Sequence, residues 1–370
     1  MLARERLLNL LNGRPVEGLA WNALVDETTL AGMPAEIRPC NGTDFCRMVG
    51  ADVIQLGDFF LPPEAQAGDP FTTCIPGVEN EEFTTDAGVQ VRRSHTPWGI
   101  LTATFRQGHP LEYPVKDLAD LHILRHIWEM THYEEIGPEW EQRHARAEKF
   151  IGDDGIYTHF IPSSPVQRLL EYDMGLANFY AFFQDTPADM ESLLEVMQAR
   201  WLESVEILAR RTPAQVIIPV ENTSTTMISP AFYNKYSQPQ IEAFVQCVHA
   251  HGKKAVIHMC GWLKNLLPAL KATGLDGIHA LTPPTIGDTP FALALNTLGE
   301  TVTLMGLLDG TVFHDPNVTT QDIRVLLDRV YTPQLRASNF ILIVAADGLP
   351  TPLWKFQAVQ EWMQVNGGRC

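Results

Sequence analysis

The sequence predicts an α/β protein: a single (β/α)8 TIM barrel over residues 1–370, with an N-terminal helical extension and a β-hairpin-containing insertion at about 58–118. Three observations carry this. Eight short apolar, strand-like runs are separated by segments of helical pattern. From about residue 254 onward the alternation of run and helix is regular. The length of 370 residues, which could also hold two or three domains, suits one barrel with an insertion.

The chain opens on a charged amphipathic helix, MLARERLLNLLNG, ended by Gly13-Arg14-Pro15. Residues 18–25 form a first short strand, 41–49 a helix and 52–57 a second, buried strand. Pro62-Pro63, Gly68-Asp69-Pro70 and Pro76-Gly77 then signal turns, and Val89 to Arg93 alternates as a half-exposed strand does. Helices are expected over 115–149, and Phe150-Ile151-Gly152 opens a third strand that ends near 157–160. Ser163-Ser164-Pro165 caps a helix of medium length, and Pro187 starts a long one to about Ala209. A fourth strand, 216–220, ends on Glu221, and two helices fill about 230–251. The fifth strand runs through Lys254 to His258 and Cys260. Strands six to eight fall at 277–281, 302–306 and 340–344, with Pro352 beginning the last helix.

Composition narrows the function. A formal net charge of −17 opposes nucleic acid and anionic membrane surfaces alike, since both need basic partners. Six scattered cysteines do not form a disulfide framework, and no apolar stretch is long enough for a bilayer. The N-terminus has no signal-peptide apolar core, so the expectation is a soluble, cytoplasmic protein. A homo-oligomer is compatible with all of this.

Parallel barrels place their chemistry at the C-terminal strand ends. His258 and Cys260 are two apart, so on a strand they aim to one side, and imidazole with thiolate makes half of a zinc site. Glu221 ends strand four and Asp347 follows strand eight, which completes a candidate metal and catalytic set. His279 and Asp309, ending strands six and seven, are candidates to orient ligands or touch substrate, as are Tyr157 and His159 and, more weakly, Asp153. Each has a plainer reading: a buried Cys beside a bonded His, a capping Glu221, a turn Asp347. His249 and His251, at a helix end, read as caps. Trp98, Tyr157, Phe160, Trp262 and Trp354 could line an aromatic pocket or simply pack.

Arg4-Glu5-Arg6 with Leu10-Leu11-Asn12-Gly13, Thr96-Pro97-Trp98-Gly99, Ser229-Pro230 with Phe232-Tyr233, His258-Met259-Cys260-Gly261 and Leu349-Pro350-Thr351-Pro352 together resemble the uroporphyrinogen decarboxylase-like superfamily. The resemblance covers essentially the whole chain. It is closer to the corrinoid-dependent methyltransferase branch, the methylcobamide:coenzyme M methyltransferases and methoxy-compound demethylases. The decarboxylases' Arg-Gln-Ala-Gly-Arg segment is missing, so porphyrin decarboxylation is not expected. Where the thiol methyltransferases carry a second Cys after the last strand, this chain has Asp347.

The resemblance implies zinc on Glu221, His258, Cys260 and Asp347, not necessarily all four. A carboxylate in place of a thiolate makes the ion harder and more Lewis-acidic, which suits an ether oxygen. The expected activity is O-demethylation: a methyl group passes from a small methoxylated substrate to the corrinoid (cobalamin) of a partner protein. No cobalamin-binding motif such as Asp-x-His-x-x-Gly is present, so the corrinoid arrives on that partner. The alternatives are methylation of a thiol from a corrinoid protein, a non-catalytic barrel that binds a tetrapyrrole or corrinoid protein, and a decarboxylase-like enzyme.

Overall fold

The computed structural model describes residues 1–14, 16–346 and 348–367. Its centre is eight parallel strands: β1 (Ala20–Leu24), β2 (Val53–Leu56), β3 (Gly155–Ile161), β4 (Val216–Pro219), β5 (Lys254–His258), β6 (Gly277–Leu281), β7 (Thr303–Leu307) and β8 (Phe340–Ala345). They run in the order β1-β8-β7-β6-β5-β4-β3-β2. The seam between β1 and β2 is drawn together where the Asp52 amide donates to the Trp21 carbonyl (2.7 Å) and Asn22 Nδ2 to the Asp52 carbonyl (2.9 Å). With helices around it, this is a (β/α)8 barrel.

The pleat sorts each strand into two faces. Ile54, Ile156, Val216, Val256, Met305 and Ile341 meet one another inside the barrel. Their neighbours Val53, Tyr157, Ile217, Ile257, Leu304 and Leu342 join a larger core shared with the surrounding helices. The opening helix, Ala3–Leu11, closes the N-terminal end of the barrel: Leu7, Leu10 and Leu11 join the lumen cluster. Thr303 Oγ1 donates to the Leu10 carbonyl (3.1 Å), and Arg6 pairs with the buried Asp52.

Three expectations need correction. Strand three does not open at Phe150; the helix Glu139–Ile151 continues through it, and a tight turn, Gly152–Asp154, precedes β3. Asp153 therefore lies at the strand's N-terminal end. The span 230–251 is one helix rather than two, with a π-helical turn at Tyr233–Ser237 where Pro239 withholds an amide from the ladder. The region 115–149 is not all helical. His132–Glu135 is a strand, antiparallel to Phe71–Cys74. A distant partner sets its conformation, which local pattern does not reveal.

Between these two strands lie an antiparallel four-stranded sheet (Glu79–Thr84, Gln90–Thr96, Gly99–Arg106, His109–Glu112) and the helix Leu118–Met130. No helix among the described residues is long and apolar enough to cross a membrane.

Candidate active site

The ends of β5 and β6 bring two histidines together. His258 and His279 are direct register partners, one position beyond the pair Ile257 and Ile278 that faces the helices. Both rings therefore turn to the lumen side. Their Nδ1 atoms are 2.7 Å apart, so one ring donates and the other accepts. Burial pushes the His258 imidazole down to about 4. Burial and then the neighbouring His258 hold His279 well below the ordinary histidine range. Both rings are neutral near pH 7 and can offer a lone pair.

Alternation continues past the end of β5. The Met259 amide donates to the His279 carbonyl (3.0 Å), and the Met259 side chain joins Ile257 in the helix-facing core. Cys260 consequently returns to the side of His258, with Sγ 3.7 Å from Asn222 Oδ1. On β6 the ladder slips between His279 and Leu281, where Ala280 sits at φ 63°. This bulge is a device that re-aims side chains next to sites. Gly261 follows at φ 99°, a backbone position that favours glycine.

Glu221 goes elsewhere. The inward position at the end of β4 is Val220, which bridges to His258, so Glu221 points towards the helix layer. There its carboxylate accepts from the Ser164 amide (3.0 Å), Ser164 Oγ (2.8 Å) and Thr223 Oγ1 (3.0 Å). Burial pushes the Glu221 carboxyl up to about 7, against these three donors. Among the described residues, the one group of three metal-type donors within 4.8 Å of one another is Cys74, His132 and Glu134. Glu221, His258 and Cys260 do not form such a group.

Residues 168–358, more than half of the chain and all of β4 to β8, match the uroporphyrinogen decarboxylase (URO-D) family. The chain belongs to that family. Its structure is similar to a methyltransferase from Methanosarcina mazei, with TM-score 0.59 at 12% identity over 99% of this chain and 99% of that one. A weaker likeness is to a D-psicose 3-epimerase from Clostridium cellulolyticum H10, with TM-score 0.37 at 10% identity over 61% of this chain and 81% of that one. No curated protein matches the sequence.

Within this URO-D-family barrel the remaining candidates divide. Asp347 lies outside the described residues. Asp309 Oδ1 accepts from the Thr311 amide (3.0 Å) and Thr311 Oγ1 (2.7 Å), closing a turn after β7. Tyr157 and His159 occupy the helix-facing side of β3; the Tyr157 hydroxyl donates to Asp58 (3.0 Å), and His159 Nε2 meets Thr212 Oγ1 (2.8 Å). Phe160, between His159 and Ile161, does reach the lumen and meets the His258 ring edge-on at 5.5 Å. His249 pairs with Asp276 and His251 with Glu206, both on the periphery. Trp98 stacks on His126 inside the insertion, and Trp354 packs against the core. Sequence reasoning missed the donors around Glu221. It also missed the Cys74 cluster, which needs the pairing of two remote strands to be seen.

Proposed function

We propose that this chain is a methyltransferase that moves a methyl group from a small methoxylated substrate to the cobalt of a corrinoid protein, with zinc at the C-terminal end of β5. One observation carries the reading: two lumen-side donors, His258 and Cys260, stand at the barrel mouth with the His258 ring held by His279. The likeness to the Methanosarcina mazei methyltransferase supports it.

The donor set fits zinc in part. His258 Nδ1 is taken by His279, which leaves Nε2 as the metal-facing atom and requires His258 to be the Nδ1 donor of the pair. Cys260 supplies a thiolate. Glu221 would have to leave three hydrogen bonds to join, so Asp347 is the proposed third ligand. Such an ion would supply Lewis acidity towards an ether oxygen. The chain orients the donor ether in the lumen beside Phe160 and excludes water there. A corrinoid partner would supply the cobalt(I) nucleophile: the methyl–oxygen bond would break as a carbon–cobalt(III) bond formed, and the alkoxide would take its proton from solvent on release at the mouth.

A rim suited to a protein partner supports delivery of the corrinoid from outside. Phe59, Trp262, Ile286 and Leu349 are exposed on the loops after β2, β5, β6 and β8, which all surround the mouth. The test is an anaerobic screen of methoxylated donors against cob(I)alamin, followed by loss of the cob(I) spectrum, with zinc measured in parallel. The parent should bind zinc and alkylate cobalt with at least one donor. Zinc-free protein that still alkylates cobalt, or a zinc content that does not fall by about one equivalent after His258→Ala with Cys260→Ala, would refute the reading. Turnover of methylcobalamin with a thiol instead would favour thiol methylation.

A further inference from the structure

We propose that Cys74, His132 and Glu134 form a zinc-type metal site at the neck of the insertion, separate from the barrel mouth. Cys74 and His132 are direct cross-strand partners in the antiparallel pair of Phe71–Cys74 with His132–Glu135. Such partners bring their Cβ atoms within about 5 Å on one face of the ribbon. Glu134, two residues beyond His132, falls on that same face. Glu135 falls on the other and is engaged by Arg210 (2.6 Å) and Arg211 (3.7 Å). The result is one thiol, one imidazole and one carboxylate whose donor atoms all lie within 4.8 Å of one another.

The histidine is already oriented for a metal. His132 Nδ1 lies 3.3 Å from the Met130 carbonyl, which can only accept, so this nitrogen carries the ring proton. The lone pair is left on Nε2, and Nε2 is the atom that faces the cluster, 3.8 Å from Glu134 Oε1. A backbone carbonyl that fixes the tautomer in this way is a usual companion of metal-binding histidines. Sulfur and nitrogen donors favour zinc over magnesium or calcium. Thiolate plus carboxylate balance a dication, and the exposure of Glu134 leaves a fourth position for water.

The position gives the site a purpose. The paired strands are the two ends of the excursion that holds the four-stranded sheet and the helix Leu118–Met130. An ion bridging Cys74 to His132 ties those ends where they leave the barrel, closing a long loop that is open in the unfolded chain.

The test uses the His258→Ala, Cys260→Ala protein, so that the mouth does not contribute, titrated anaerobically with Co(II). Saturation near one equivalent is expected, with a thiolate-to-cobalt charge-transfer band and tetrahedral d–d bands. Adding Cys74→Ala should abolish the charge-transfer band, and His132→Ala should weaken binding at least about tenfold. No saturable binding, or a charge-transfer band that survives Cys74→Ala, overturns the proposal. In the otherwise unaltered chain, Cys74→Ala alone should lower bound zinc by about one equivalent relative to the parent. An unchanged zinc content overturns the proposal even if the double variant does not fold. Because His258→Ala reads only the mouth, the two metal readings fail independently.

Discussion

Two pairs of histidines lie against the barrel wall, on opposite sides of it. His258 and His279 face the lumen, Nδ1 to Nδ1. His144, on the helix Glu139–Ile151, and His159, on β3, lie outside with ring centroids 5.3 Å apart. One hydroxyl, Thr212 Oγ1, serves both outer rings, at 2.8 Å from His159 and 3.4 Å from His144. The two pairs share burial and depressed basicity. They differ in what surrounds them. The outer pair is sealed by Trp140 and Tyr157, whereas His258 of the inner pair meets Phe160 at the C-terminal end of the barrel strands. A perturbed histidine is therefore not by itself a sign of chemistry; its side of the pleat decides what it can touch.

The largest expected effect breaks the comparison outright. Under the proposed function, His258→Ala with Cys260→Ala should cost at least about a thousandfold in methyl transfer, as loss of reacting-centre groups does. His159→Gln keeps a donor and acceptor near Thr212 and should leave the rate within about threefold. A large rate loss in His159→Gln, at unchanged stability, would show that the outer pair communicates with the mouth.

Next comes His279→Leu, which removes the Nδ1 partner of His258 while keeping the site filled. Affinity for the zinc proposed at the mouth should fall about 10- to 100-fold, with the fold retained in circular dichroism. The measurement is competition against a chelator. An unchanged affinity would mean that His279 only packs against the site.

Both pairs weaken stability in acid, and a variant of the outer pair isolates its share. Burial lowers both His144 and His159, so the folded state keeps them neutral while the unfolded chain binds protons below about 6.5. A lowered histidine thus leaves stability intact above the unfolded value and drains it as pH falls towards the folded one. The slope is up to about 1.4 kcal/mol per pH unit for each such histidine. His159→Gln should make the fall between pH 6.5 and 5 shallower than in the parent. Urea midpoints across that range, compared with the parent so that other groups cancel, test it; parallel curves would contradict the assignment.

The same pleat explains what could be read from the sequence. Apolar runs located seven of the eight strands because their apolar content is local, whereas the run at Phe150-Ile151 belongs to the helix before β3. That His258 and Cys260 share one side was legible too, since Val256 to Met259 fixes the alternation. Applied to β4, that rule assigns Val216, Ile218 and Val220 to the lumen and Glu221 to the helices, but treating every residue at a strand end as facing the rim overlooked this. The same arithmetic puts Tyr157 and His159 on the helix side of β3 and Phe160, next to His159, on the lumen side. The register of β5 against β6, which makes His279 the partner of His258, is a property of two strands together and has no local signal. The Ser164 and Thr223 donors around Glu221, and the pairing of Cys74 with His132, lie beyond sequence pattern for the same reason.

The smallest effect concerns Asp309, which sits at the mouth yet is used by the backbone. Its Oδ1 holds the Thr311 amide and hydroxyl, so the carboxylate is occupied in closing the turn after β7. Asp309→Ala should cost about 1 kcal/mol, the net worth of such a hydrogen bond, while methyl transfer per folded molecule stays the same. Asp309→Asn keeps the accepting oxygen and should restore most of that stability. The informative reversal is an Asn variant as stable as the parent but with KM raised severalfold for the methoxylated donor. That result would assign the second carboxylate oxygen, which the turn does not use, to the substrate. It would also move Asp309 from the side of the sealed outer histidines to that of the lumen pair.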